Sequence, residues 1–90
     1  MRKVRRNDEG WLVFGCPGCG CMHYADQRWT YNGDEEKPTF SPSINVKVGH
    51  HPDPPDICHF FVRDGRIEYL SDCTHSLAGQ TVELPDIDEF

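Results

Sequence analysis

Cys16, Cys19, Cys21 and His23 fall within eight residues, Cys16-Pro17-Gly18-Cys19-Gly20-Cys21-Met22-His23. Thiolates and imidazoles this close together bind transition metals, tetrahedral zinc most readily. Pro17 presets φ and the glycines permit the tight backbone path of a metal knuckle, so Cys16 and Cys19 can aim two sulfurs at one point. Zinc takes four ligands, and a second group, Cys58, His59, Cys73 and His75, lies far enough along the chain to close a split site.

The second group holds more candidates than positions. Cys58 and His75 are the expected completion, giving a zinc set of Cys16, Cys19, Cys58 and His75, with Cys73 the nearest competitor and His23 in reserve for a site closed within the knuckle. Cys21 stands too near Cys19 to join the same tetrahedron. His59 should point away from Cys58 on a regular strand, which leaves it as a hydrogen-bonded imidazole or a functional group beside the metal. Asp72, three residues before His75, can cap a helical turn or accept the second ring proton of His75. A dithiol redox pair at Cys16 and Cys19 would need a βαβ setting that the sequence lacks.

The elements that must carry these residues are short. Gly10 to Phe14 is rich in β-formers and leads into the knuckle, and Arg28 to Tyr31 ends at the turn pair Asn32-Gly33. Ile44, Val46 and Val48 alternate with Asn45 and Lys47, the pattern of a half-buried strand. Residues 49–56 hold three prolines and two histidines, His50 and His51, and read as a surface loop. Asp64-Gly65 predicts a two-residue hairpin pairing Arg63 with Arg66, Val62 with Ile67 and Phe60 with Tyr69. Alternation then puts Cys58, Phe60, Val62, Ile67 and Tyr69 on one face and His59, Phe61, Glu68 and Leu70 on the other. Ser71 or Asp72 can begin a short helical turn ending at Gly79, and Gln80 to Leu84 is a last strand before Pro85.

The expected fold class is a small, mainly-β, zinc-stapled domain resembling a zinc ribbon or knuckle, built of short strands and hairpins with one short helical turn. Residues 1–9 are expected to be a basic flexible arm, 10–85 the domain and 86–90 a loose acidic tail. Ninety residues with 37% hydrophobic content make one domain that needs a staple. Five cysteines without a recognisable signal peptide point to a reducing cytoplasm, where thiols hold metal rather than pair. No apolar run is long enough to span a bilayer as a helix. The net charge of −6 disfavours nucleic acid, although four of the nine Lys and Arg residues lie in the first six positions.

Several segments resemble a family of small proteins of unknown function encoded mainly by tailed phages and prophages, which often carry the label ammonia monooxygenase. They are Cys16-Pro17-Gly18-Cys19, Trp29 to Gly33, Pro38-Thr39-Phe40-Ser41-Pro42-Ser43-Ile44, Cys58 to Ile67 and Ser71 to Val82. The label does not suit this chain, because a copper monooxygenase of that kind is a large membrane assembly. The resemblance implies a phage origin and the bacterial host cytoplasm, and it places more weight on Cys58, His59, Asp72 and His75 than on Cys73.

Three functions compete on these residues. The leading expectation is a structural-zinc module that binds a protein partner, possibly a host factor, through aromatic side chains such as Trp11, Trp29 and Tyr31. A small zinc hydrolase with an open metal position would instead use Glu68, Asp72 or His59 as base. A zinc-ribbon nucleic-acid binder would use the basic start and stacking aromatics, against the acidity of the body.

Overall fold

The hairpin at Asp64-Gly65 sets the register of the larger sheet. In the computed structural model, which describes residues 1–50 and 52–90, both turn residues have positive φ, 50° at Asp64 and 79° at Gly65. That is the type I′ geometry which matches the right-handed twist of the flanking strands. Arg63 pairs with Arg66, Val62 with Ile67 and Phe60 with Tyr69, as the sequence predicts.

Eight strands form two antiparallel sheets, and the described residues contain no helix. Strands β1 (Arg5–Arg6), β2 (Leu12–Cys16) and β3 (Cys21–Ala25) make the smaller sheet, in that order. The knuckle is the tight turn between β2 and β3, and the register pairs Cys16 with Cys21. Strands β4 (Thr30–Tyr31), β5 (Phe40–His50), β6 (Asp53–Arg63), β7 (Arg66–Tyr69) and β8 (Thr81–Glu83) make the larger sheet, also in chain order.

Two segments differ from the sequence expectation. Residues 49–56, expected as a loop, largely extend the β5–β6 hairpin, with Lys47 facing Ile57 and Val48 facing Asp56. His51 lies outside the described residues. The segment from Ser71 to Gly79 is a run of separate turns rather than a helical turn. Its amides are spent elsewhere: Thr74 N–H donates to the Ile57 carbonyl at 2.9 Å, and Ala78 N–H reaches only back to His75 at 3.3 Å. Asp72, Cys73, Thr74 and His75 can therefore all bond to β6, which four successive positions of a helix would not allow.

The two sheets meet face to face over an aromatic core. Phe14 of the smaller sheet lies 5.6 Å from Phe40 and 5.9 Å from Phe60, ring centre to ring centre, and all three rings are buried. Val4, Leu12, Val62, Ile67 and Leu84 complete the core. The basic start and acidic end also meet: Arg2 pairs with Asp88, Ile87 N–H donates to the Arg2 carbonyl, and Val4 and Ile87 are buried. Truncating Phe60, which packs against rings from both sheets, should destabilise the fold by about 3–5 kcal/mol. Denaturant unfolding of Phe60→Ala would measure that loss.

Candidate functional site

The knuckle and the hairpin converge as the thiol arithmetic requires. Cys16, at the end of β2, is fully buried, and its sulfur lies 3.8 Å from that of Cys58 on the inner face of β6. The ligand atoms of Cys16, Cys19, His23 and Cys58 all lie within 4.8 Å of one another, a group that can hold a metal ion. Tyr69 braces the knuckle from behind. Its hydroxyl accepts from Gly18 N–H at 3.0 Å and shares a hydrogen bond with the Cys16 sulfur at 3.1 Å.

The electrostatics of the group call for a cation. Hydrogen bonding from Cys58 pulls the Cys16 thiol down to about 3 against the opposing effect of burial. Burial pushes Cys19 up to about 11, and Cys58 is pushed well above the usual thiol range by its bond to Cys16 and by burial. Without a cation, one sulfur carries the charge and its neighbours must keep their protons. A divalent ion removes that conflict by holding all of them as thiolates. The fit has an independent mark in His23 Nε2, which is buried and makes no hydrogen bond.

The expected fourth ligand, His75, lies outside that group of four atoms. Its Nε2 is 3.4 Å from the Cys58 sulfur, and with Cys58 and Cys73 it forms a second cluster that can hold a metal. Leu77 N–H donates to His75 Nδ1 at 3.2 Å, so the ring proton sits on Nε2 and points at Cys58. Gly18 is what admits this ring: a Cβ there would stand 2.4 Å from it. Cys21 is exposed and stays outside both clusters.

On the opposite face of the larger sheet, the other functional side chains form a second constellation. His59 Nδ1 donates to Asp72 Oδ2 at 3.1 Å, which fixes the tautomer and leaves Nε2 free to accept. The Ser43 hydroxyl donates to that Nε2 at 3.2 Å. Asp72 therefore orients His59 rather than His75. Ser43, His59 and Asp72 have the connectivity of an acyl-transfer triad, which is recognised by geometry and not by chain order.

A bulge delivers the serine. Phe40 faces Val62 and Ile44 faces Phe60, so β5 spends four steps where β6 spends two. The two extra residues keep Phe40 and Ile44 both facing the core while carrying Ser43 to a position diagonal to His59 on the outer face. Asn45 is the residue directly opposite His59. Pro42, which has no N–H for the ladder, sits within this irregular stretch.

One thiol holds the His59 backbone. His59 N–H donates to the Cys73 sulfur at 3.2 Å, and the Cys73 thiol donates back to the His59 carbonyl at 3.1 Å. The Leu70 N–H still reaches the His59 carbonyl, while the Cys73 sulfur takes the His59 N–H where β7 has ended. Ser43 is the candidate site residue that sequence reasoning missed. The motif Pro42-Ser43-Ile44 contains it, but only the bulge register reveals its partner.

A family model described as "Bacterial ubiquitination-like system serine protease (BubE)" matches residues 1–70. The chain belongs to the BubE family. The matched region includes the knuckle, Ser43 and His59, and it ends two residues before Asp72. No curated protein and no solved structure matches the chain. No helix among the described residues is long and apolar enough to cross a membrane.

Proposed function

We propose that this BubE-family chain is a serine hydrolase, a protease as the family's description has it, whose reacting groups are Ser43, His59 and Asp72. The observation that carries the reading is the unbroken relay of 3.2 Å from Ser43 Oγ to His59 Nε2 and 3.1 Å from His59 Nδ1 to Asp72. In the reaction, Ser43 Oγ attacks the substrate carbonyl carbon and its proton passes to His59 Nε2. The tetrahedral species collapses as the imidazolium returns that proton to the leaving amine, giving acyl-Ser43. Water then attacks the acyl carbon, His59 takes the water's proton, and Ser43 leaves with it. Asp72 stays ionised and holds the ring. The protein partner expected from the sequence is on this reading a substrate, and His59 is committed to Ser43 rather than to a metal-bound water. The direct test is covalent labelling by a fluorophosphonate, with the adduct mapped to Ser43 by mass spectrometry.

The metal in this proposal is zinc, and it is structural. Cys16, Cys19 and Cys58 supply three thiolates, and His23 takes the fourth place ahead of His75 because its buried Nε2 is otherwise unpartnered. His75 then supports the site by donating Nε2–H to Cys58, a contact whose loss weakens metal binding about 10–100-fold without removing a ligand. His23→Ala should purify with less than stoichiometric zinc and His75→Ala with a full equivalent. Metal analysis with a competing chromophoric chelator separates the two, and the opposite pattern would reassign the fourth ligand to His75.

A further inference from the structure

Beyond Ser41, β5 has a strand on one side only. β4 reaches Phe40 and Ser41 and stops, and no other strand of the described residues lies on that side. The direction of the backbone groups can be read from the other side of the sheet. Leu70 N–H donates to the His59 carbonyl, and Ile57 N–H and C=O are both bonded to Thr74. His59 and Ile57 thus turn their backbone groups away from β5. Their partners Asn45 and Lys47 form non-hydrogen-bonded pairs with them, and so turn their own N–H and C=O groups to the open edge. This edge begins at the nucleophile. The Ser43 carbonyl points the same way and accepts from Trp29 Nε1 at 3.3 Å, so the Trp29 ring closes that end.

A groove of about 420 Å³ runs beside the edge. Ile44, Asn45, Val46 and Val48 of β5 line it together with Met22, Tyr24 and Trp29. Met22, Tyr24 and Val48 are exposed apolar side chains in a chain with a net charge of −6. Unpaired backbone donors and acceptors, an apolar trough on the inner face of the edge and a nucleophile at the end of the same edge on the outer face together describe a receptor for an extended peptide.

We propose that the substrate binds as an added β-strand on the open edge of β5, bonded to the N–H and C=O groups of Asn45 and Lys47. It is an unfolded peptide segment whose scissile carbonyl lies at Ser43 and whose alternate side chains, apolar ones, enter the Met22, Tyr24, Trp29 and Val48 groove. The proposal rests on the serine-hydrolase reading for the position of the scissile bond. It adds the substrate class: a flexible stretch or terminal tail of a protein, read by its backbone and not in its folded form. A folded surface could not lay a strand between Trp29 and the exposed end of the hairpin.

The edge itself supplies the test. The Asn45 N–H faces outward, so proline there removes one receptor bond while sparing the ladder to β6. The fastest-cleaved member of a fluorogenic hexapeptide library serves as the probe, alongside a small activated ester that does not reach the edge. Asn45→Pro should lower peptide kcat/KM relative to ester kcat/KM at least about 30-fold, against less than about 3-fold for Asn45→Ala, given that a backbone hydrogen bond and its desolvated partner are lost together. N-methylation of the probe should abolish cleavage at positions two residues apart and be tolerated between them. A flat N-methyl scan, equal ratios for the proline and alanine variants, or failure to cleave any peptide while the fluorophosphonate still labels Ser43 would each overturn the edge proposal. Absence of the Ser43 adduct would instead remove the serine-hydrolase reading on which the scissile position depends.

Discussion

Ser43→Ala should lower turnover of any cleaved substrate by at least about 10⁴-fold, with KM, zinc content and thermal unfolding little changed. The size follows from the role: alanine leaves no atom to form the acyl intermediate, and any residual rate comes from binding and polarisation alone. His59→Ala should cost a comparable factor, and the Ser43→Ala, His59→Ala double variant should be no worse than either single one, because the two act as a unit. Asp72→Asn should cost less, on the order of 10²-fold. The Asp72 side chain is 52% exposed, so water can take over part of its work, whereas the aspartate of the best-studied triads is buried. Steady-state kinetics on the probe peptide, with fluorophosphonate labelling as the readout independent of substrate, would measure all four. Retained turnover in Ser43→Ala together with its loss in Glu68→Gln would favour the metal-bound-water hydrolase instead.

These residues also show which parts of the design are readable in one dimension. The Asp64-Gly65 hairpin was legible to the residue, because a two-residue I′ turn fixes the register and period-two alternation then fixes every face. Cys16, Cys19 and Cys58 were legible as a group, since a knuckle and an inward hairpin position must meet somewhere in so small a domain. The relay through Ser43 was not. Its partner is set by the bulge between Phe40 and Ile44, and no local propensity states how many residues a bulge will absorb. Of the roles open to Asp72, helix cap or partner of His75, neither is the one found, for a related reason. The expectation of a helical turn placed it beside His75, while the docked turns from Ser71 to Gly79 send it across the sheet to His59. Serine, unlike cysteine, is too common in loops and strands for its type to flag it.

The metal half and the catalytic half share backbone, which gives the second large effect. Cys58 precedes His59, and Cys73, whose sulfur bonds both backbone groups of His59, follows Asp72. His59 is therefore held on the strand that carries Cys58 into the thiol cluster, and the Cys73 sulfur that bonds its backbone belongs to the second group, with Cys58 and His75. If zinc is held there as proposed, on three thiolates and an imidazole, it would contribute about 10 kcal/mol or more to a small fold, comparable to the whole stability of an ordinary domain. Stripping zinc at neutral pH should abolish the cooperative thermal transition and the labelling of Ser43 together, with a common midpoint in chelator concentration. Adding zinc back under reducing conditions should restore both. Acid should act in the same direction. The ligands are thiolates in the metal-bound fold, and the Cys19 and Cys58 thiols hold their protons firmly without the ion, so protons displace zinc as pH falls and the stability it confers is present at neutral and alkaline pH. The decisive observation is the pairing of the two signals. If chelation leaves the unfolding transition intact and Ser43 still labels at its former rate, the fold stands without its staple and the metal has another role; if labelling vanishes while the transition persists, zinc positions His59 and Asp72 without being needed for the core around Phe14 and Phe60.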